Sequence, residues 1–172
     1  MIPMRGKVLS AIVCGLFMTS HVLAQMTELD PDWKELDIRP PVKFTTTNLV
    51  PIEMPRYVSV KVGVDPDSLT ISEDGIVRYV VVAVSAGGNI NAAFEGIWCR
   101  AGEVKTYARA GNDQQWDAVP DPKWKKLNDS QPSMHALALA RQGVCEGRSA
   151  VGHSPQAIIR KLRQSVPQGS QR

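Results

Sequence analysis

From Tyr57 the chain alternates, with Tyr57, Ser59, Lys61 and Gly63 on one side and Val58, Val60, Val62 and Val64 on the other. A period of two predicts a half-buried strand. Asp65-Pro66-Asp67-Ser68 then predicts a turn and Leu69 to Ile71 a short extended piece. Ser72-Glu73-Asp74-Gly75 predicts a second turn, because Asp-Gly suits the positive φ of a tight connection. Ile76 to Ser85 is apolar on both faces over Tyr79 to Val84, the pattern of a central strand covered on both sides. Ala86-Gly87-Gly88-Asn89 closes a hairpin and Ile90 to Cys99 returns. Val104 to Ala108 reads as a further strand, turned by Gly111-Asn112-Asp113 into Trp116 and followed by Asp121-Pro122 and the Trp124 to Leu127 segment.

The period becomes helical at Ser133 to Gln142, with Ser133 as N-cap, Met134, Leu137 and Ala138 or Ala140 on one face, and Gly143 as the stop. A second helix is expected over Pro155 to Ser165, capped by Ser154 with Pro155 in its first turn and ended by Pro167. Strands first and helices afterwards predict a single α+β domain: an antiparallel sheet of about four to six strands with one or two C-terminal helices packed on it.

The N-terminus changes this picture by adding a compartment. Arg5 and Lys7 precede an apolar run from Val8 to Leu23 that Ser, Gly, Thr and His interrupt, and Val22-Leu23-Ala24 precedes Gln25. That is the pattern of a secretory signal peptide cleaved after Ala24. The run is shorter than the roughly 20 residues that cross a bilayer. The expected location is therefore periplasmic or secreted. Residues 25–55 form a Pro-rich arm in which Pro40, Pro41, Pro51 and Pro55 forbid a helix, and Trp33 and Phe44 are placed to pin it to the body. The domain proper is expected over residues 56–146, with a basic helix and tail over 147–172.

Charge is polarised. The whole chain has 20 Lys and Arg against 17 Asp and Glu, but Arg5 and Lys7 belong to the leader. Residues 25–119 carry 9 basic and 14 acidic side chains, and residues 120–172 carry 9 and 3. The tail has no aromatic after Trp124, so the basic stripe with stacking rings that nucleic acid requires is missing. Such a tail reads either as a solvated helix face or as a contact for envelope polymer, anionic lipid head groups or an envelope protein. The two cysteines of the mature chain, Cys99 and Cys145, read as one disulfide in an exported protein. The alternative, a reactive thiol, needs a nearby base.

The ordered set Trp33-x-Glu35, Asp65 with Ser68-Leu69, Asp74-Gly75-x-Val77-Arg78-Tyr79, Ser85 before the Gly pair, Glu95-Gly96-Ile97-x-Cys99, Glu103-x-Lys105-x-Tyr107-Ala108, Trp116, Trp124 and Cys145 resembles the CNP1-like family of exported proteobacterial proteins. The likeness covers roughly residues 30–146. It implies a signal-bearing envelope protein and brings no assigned activity with it.

Candidate chemistry is sparse. His135 and His153 are the histidines of the mature chain, with no HExxH, His-x-His or CxxC spacing, so no metal or other cofactor is expected. No nucleophile elbow is present. Arg78, Tyr79, Glu95 and Tyr107 form the main cluster, since pairing across Gly87-Gly88 returns Glu95 near the level of Arg78. Facing each other, these two make either a salt bridge inside the sheet or a pocket in which Glu95 is acid or base and Arg78 holds an anion. Asp74 and Asp113 are the available second carboxylates for glycoside cleavage, although both fall in turns. Trp98, Trp116 and Trp124 with Tyr107 are either core or a stacking surface. The function expected is a non-catalytic binding or interaction module, with a small envelope hydrolase using Glu95 and Arg78 as the alternative.

Overall fold

A computed structural model describes residues 31–130 and 134–165. The signal sequence, the Ser133 cap, Pro167 and the end of the tail lie outside the described residues. The described residues from Lys34 onward make one compact unit, to which Trp33 does not belong.

The larger unit is built on an antiparallel meander. Its long strands are β2 (Lys61–Ile71), β3 (Val77–Val84), β4 (Ile90–Trp98) and β5 (Glu103–Ala110). The two-residue strands β1 (Val50–Pro51), β6 (Asp117–Ala118) and β7 (Lys125–Lys126) flank them, β1 on β2 and both others on β5. The helices are α1 (Met134–Leu139) and α2 (Pro155–Ser165), with a small hairpin, β8 (Cys145–Glu146) and β9 (Ser149–Ala150), between them. The α+β class, the antiparallel sheet and the two C-terminal helices are as the pattern predicts.

Alternation along the strands sorts the core into two layers. Val77, Tyr79 and Val81 of β3 pack with Ala93, Ile97 and the helix residues Leu139, Ile158 and Leu162. Val80 and Val82 point the other way, against Phe94, Ala108 and Phe44. The second layer is closed by the Pro-rich arm. It runs extended over the sheet, where Trp116 Nε1 donates to Pro41 O at 2.8 Å, Thr45 N to Asp65 Oδ2 at 3.0 Å, and Leu36 N to Asp74 Oδ2 at 2.9 Å. Phe44 is buried there, 5.2 Å from the Trp116 ring.

Three expectations change. Tyr57 to Val60 do not belong to the strand, which begins at Lys61; Pro55 starts a turn instead, with Val58 N donating to Pro55 O at 2.9 Å. Residues 53–60 form a strap over the helix side of the sheet. Secondly, Asp65-Pro66-Asp67-Ser68 does not turn the chain back. It is an irregularity within β2, between the pairs Asp65–Val80 and Thr70–Arg78. Pro66 has no N–H for a ladder, and Ser68 takes over, its Oγ accepting from Val80 N at 2.8 Å and donating to Asp65 O at 2.7 Å.

The third change is in the first helix. It is α-helical only to Leu139, then widens into a π turn over Ala140–Val144, with Gly143 at φ 154°. A Cβ on Gly143 would stand 2.6 Å from Lys161 Cγ, so glycine lets α2 approach. Gln142, buried beside it, accepts from Glu53 N at 3.0 Å and donates to Pro51 O at 2.7 Å, which ties β1 and the strap to the helix layer. Cys99 and Cys145 are disulfide-bonded, fastening the end of β4 to β8.

Candidate functional site

Arg78 and Glu95 do not face each other. The β3–β4 register sets Arg78 opposite Gly96 and Tyr79 opposite Glu95, so the two charges project from opposite faces of the sheet. The one-residue difference sends the two charges into different layers, because a step along a strand reverses the face.

On the arm side, the fully buried Arg78 is met by Asp74. Nη2 donates to Oδ2 at 2.7 Å and Nη1 to Oδ1 at 3.1 Å, a two-pronged pair, while Nη1 also donates to Ser72 Oγ at 3.0 Å and Nη2 to Leu36 O at 3.1 Å; Nε is buried without a hydrogen-bond partner among the described residues. Burial alone would raise the Asp74 pKa, but the Arg78 guanidinium and the N–H groups of Leu36 and Ile76 outweigh it and hold the carboxyl below its ordinary range. Glu35 completes the cluster from the arm, accepting from Lys105 Nζ at 2.8 Å and Trp124 Nε1 at 3.1 Å. Lys105 lies 5.5 Å from the centres of both the Tyr107 and Trp124 rings, and Arg78 lies 5.5 Å from that of Tyr107. Burial pushes the Tyr107 phenol well up, Glu35 adds to this and Arg78 opposes it. These contacts hold the arm on the Asp74-Gly75 turn and leave no opening at Arg78.

On the helix side, Glu95 is also buried, and both its oxygens are engaged. Thr106 Oγ1 donates to Oε1 at 2.9 Å, Tyr79 Oη to Oε2 at 3.1 Å, and His135 Nε2 lies 2.7 Å from Oε2. Burial and then the Glu95 charge push the Tyr79 phenol well up, so it stays a neutral donor. Burial would lower the His135 pKa and the nearby Arg109 does the same, but the Glu95 carboxylate overrides both and raises it. The carboxylate therefore favours the imidazolium form of His135.

Glu95 and His135 line a cavity of about 230 Å³, together with Arg109, Asn91 and the apolar Met54, Val58, Val81 and Ala93. Met54, Val58, Val60 and Val62 are shared with an adjoining trough of about 460 Å³ that runs under the strap to Leu49, Lys61 and Val84. A third hollow, of about 200 Å³, lies on the other side of Glu95 and Arg109 and is bordered by Thr106, Lys123 and Lys125.

A β-bulge sets this arrangement. The β4–β5 register pairs Phe94 with Ala108 and Glu95 with Thr106, leaving Tyr107 as the extra residue. Tyr107 thus joins Ala108 in the arm layer, 5.5 Å from Phe94, while Thr106 and Arg109 both lie on the cavity side. Bulges commonly re-aim side chains beside functional sites.

Of the residues the sequence singles out, Tyr79 and Glu95 come together, and Arg78 and Tyr107 come together behind them. Trp116 is separate, packed on Phe44 and Phe94. Trp98 and Trp124 meet at 5.8 Å, so the three indoles form no common platform. Asp113 serves its turn, accepting from Gln115 N at 3.2 Å. Thr106, Arg109 and the role of His135 escape sequence reasoning: the bulge hides the first two, and nothing local aims the third at Glu95.

No solved structure matches the chain. Among curated proteins, the phospho-N-acetylmuramoyl-pentapeptide-transferase of Sorangium cellulosum is similar over a stretch, 26% identical across 96 residues, which make up 56% of this chain but 22% of that protein. The stretch is too small a part of the transferase to speak for its reaction. A family model accounts for much more of the chain, from residue 28 near the start of the arm to residue 163 in the last turn of α2. The match takes in both the Arg78 and Glu95 clusters and extends past residue 146 through the helix that seals the core: the chain belongs to the CNP1-like family.

Proposed function

We propose that the protein is an exported, non-catalytic binding module of the cell envelope, and that the cavity over Glu95 and His135 is its ligand site. The observation that carries this reading is a buried carboxylate, fully hydrogen-bonded, in the wall of a cavity that continues into an apolar trough. Small-molecule sites have this composition, mostly apolar with a few convergent polar groups. Among the described residues no hydroxyl, thiol or amine side chain lines the Glu95 cavity itself, and Thr46 and Lys61 border only the adjoining trough. Export is supported by the leader pattern at residues 1–24 and by the disulfide. The basic residues of the C-terminal segment fit an anionic envelope surface as a second, weaker contact.

The test uses a neutral reporter dye, N-phenyl-1-naphthylamine, with the mature chain. One dye per chain should bind with enhanced fluorescence. Ala83→Phe, which fills the cavity from β3, should abolish that binding while leaving the circular dichroism spectrum unchanged. Absence of dye binding, or binding indifferent to Ala83→Phe, overturns the assignment. A hydrolase is the second reading, favoured by the Glu95–His135 pair, since a carboxylate that orients an imidazole is the arrangement of a general base. It requires a substrate-cleaving activity that Glu95→Gln removes without unfolding the protein. Arg78 has no part in it.

A further inference from the structure

The charges around the cavity do not balance. Glu95 is answered by His135, which leaves Arg109 as a second cation on the same wall. Arg109 stands opposite Asp117 in the β5–β6 ladder, yet among the described residues it makes no ion pair. Lys123 is paired with Asp121 at 2.7 Å, and Lys125 adds positive charge on the far side of Arg109. The bulge at Tyr107 is what brings Arg109 to this wall, because regular alternation from Thr106 would give the cavity Ala108 instead. From Arg109 along the trough the lining is mostly apolar, with Val81, Ala93, Met54, Val58, Val60 and Val62, and its uncharged polar side chains are Asn91 and Thr46.

We infer that the ligand is an amphipathic anion, a single aliphatic chain lying in the trough under the strap with its carboxylate or phosphate against Arg109. This rests on the cavity being a ligand site. Arginine offers a planar fork that matches either head group, and the trough supplies the apolar area for the chain. Lys61, at the open end of the trough, is the only other cation lining it among the described residues. Arg109, exposed like Lys61, is preferred because it shares the cavity wall with His135 and offers the planar fork that a lysine lacks.

The experiment displaces N-phenyl-1-naphthylamine from the full mature chain with straight-chain alkanoates of increasing length, with the corresponding alkanols, and with decyl phosphate. Affinity should rise about 4-fold per added methylene, the ~0.8 kcal/mol of burying one CH₂. Decanoate and decyl phosphate should each bind about tenfold more tightly than decanol, the order of a hydrogen bond to a charged group. Arg109→Gln should erase that advantage without weakening decanol, while Arg163→Gln, on the exposed side of α2, should change nothing. Decanol binding as well as decanoate overturns the anionic head group but leaves the cavity as a ligand site. Failure of the dye itself overturns both. If Lys61→Gln proves the damaging change, the assignment of the head group to Arg109 is wrong. Displacement by phosphatidylglycerol vesicles but not by free decanoate or decyl phosphate replaces the single-chain ion with a membrane surface.

Discussion

Asp74 engages Arg78 with both carboxylate oxygens, and the cost of removing either partner follows from their burial. In Asp74→Asn a guanidinium that is 0% exposed would lose its nearest counter-charge, leaving Glu35 at 3.9 Å. A loss of about 3–5 kcal/mol is expected from denaturant unfolding, the usual cost of stranding one member of a buried pair. The pH dependence has a fixed sign. Asp74 has its pKa depressed in the folded chain, so its contribution is complete above the ordinary carboxylate range and disappears as pH falls through the folded value. The acid limb of the stability profile should therefore flatten in Asp74→Asn. Gly96 is the second test at this scale. A Cβ there would stand 2.7 Å from Ile76 Cγ2 and 2.8 Å from Tyr107 Oη, so Gly96→Ala should lower the melting temperature, at a cost of about 1–3 kcal/mol. The sequence shows an arginine and a glutamate across a hairpin. It does not show that glycine takes the place opposite the arginine so that a tyrosine from the next strand can lie over it.

At the scale of elements, legibility follows how local the determinants are. Helix α2 is readable because its signals are neighbours: Ser154 Oγ accepts from Ala157 N at 3.3 Å, Pro155 opens the helix, and Ile158 and Leu162, four apart, enter the core. The break in the first helix is not, because its π turn depends on Gly143 meeting Lys161 from another element. The Tyr107 bulge is equally hidden, and with it half of the candidate site. Helix α1 is tied to the sheet by His135 on Glu95, and this tie titrates. Since the His135 pKa is raised above its ordinary 6.5, the stabilisation is complete below that value and is lost as pH rises through the folded pKa. The melting temperature should fall over that range, and His135→Gln should remove the dependence. The disulfide supports the same layer from the other side. Replacing Cys99 and Cys145 by Ala releases a loop of 46 residues, and chemical denaturation should show a loss of about 4 kcal/mol by the chain-entropy model.

For the whole molecule, the fold class, the covered central strand and the two helices are legible because hydrophobic period reports burial directly. The cavity is not, because it arises where the strap over residues 53–60 bridges β2 and the helix layer, a relation between distant segments with no period of its own. The order of the strands carries a further consequence. From β1 to β6 their order in space is their order along the chain, so each long strand can zip onto the one just before it. The covers come from opposite ends, the arm from before the sheet and the helices from after it. Local pairings form faster than distant ones. The meander should thus assemble hairpin by hairpin while both its faces are still bare, and the thiols of Cys99 and Cys145 should meet only once the helix layer has settled. The covalent link then acts as a latch on a finished layer rather than a guide to it. Refolding from the reduced state should recover the sheet signal before the near-ultraviolet signal of the packed aromatics, with oxidation following last.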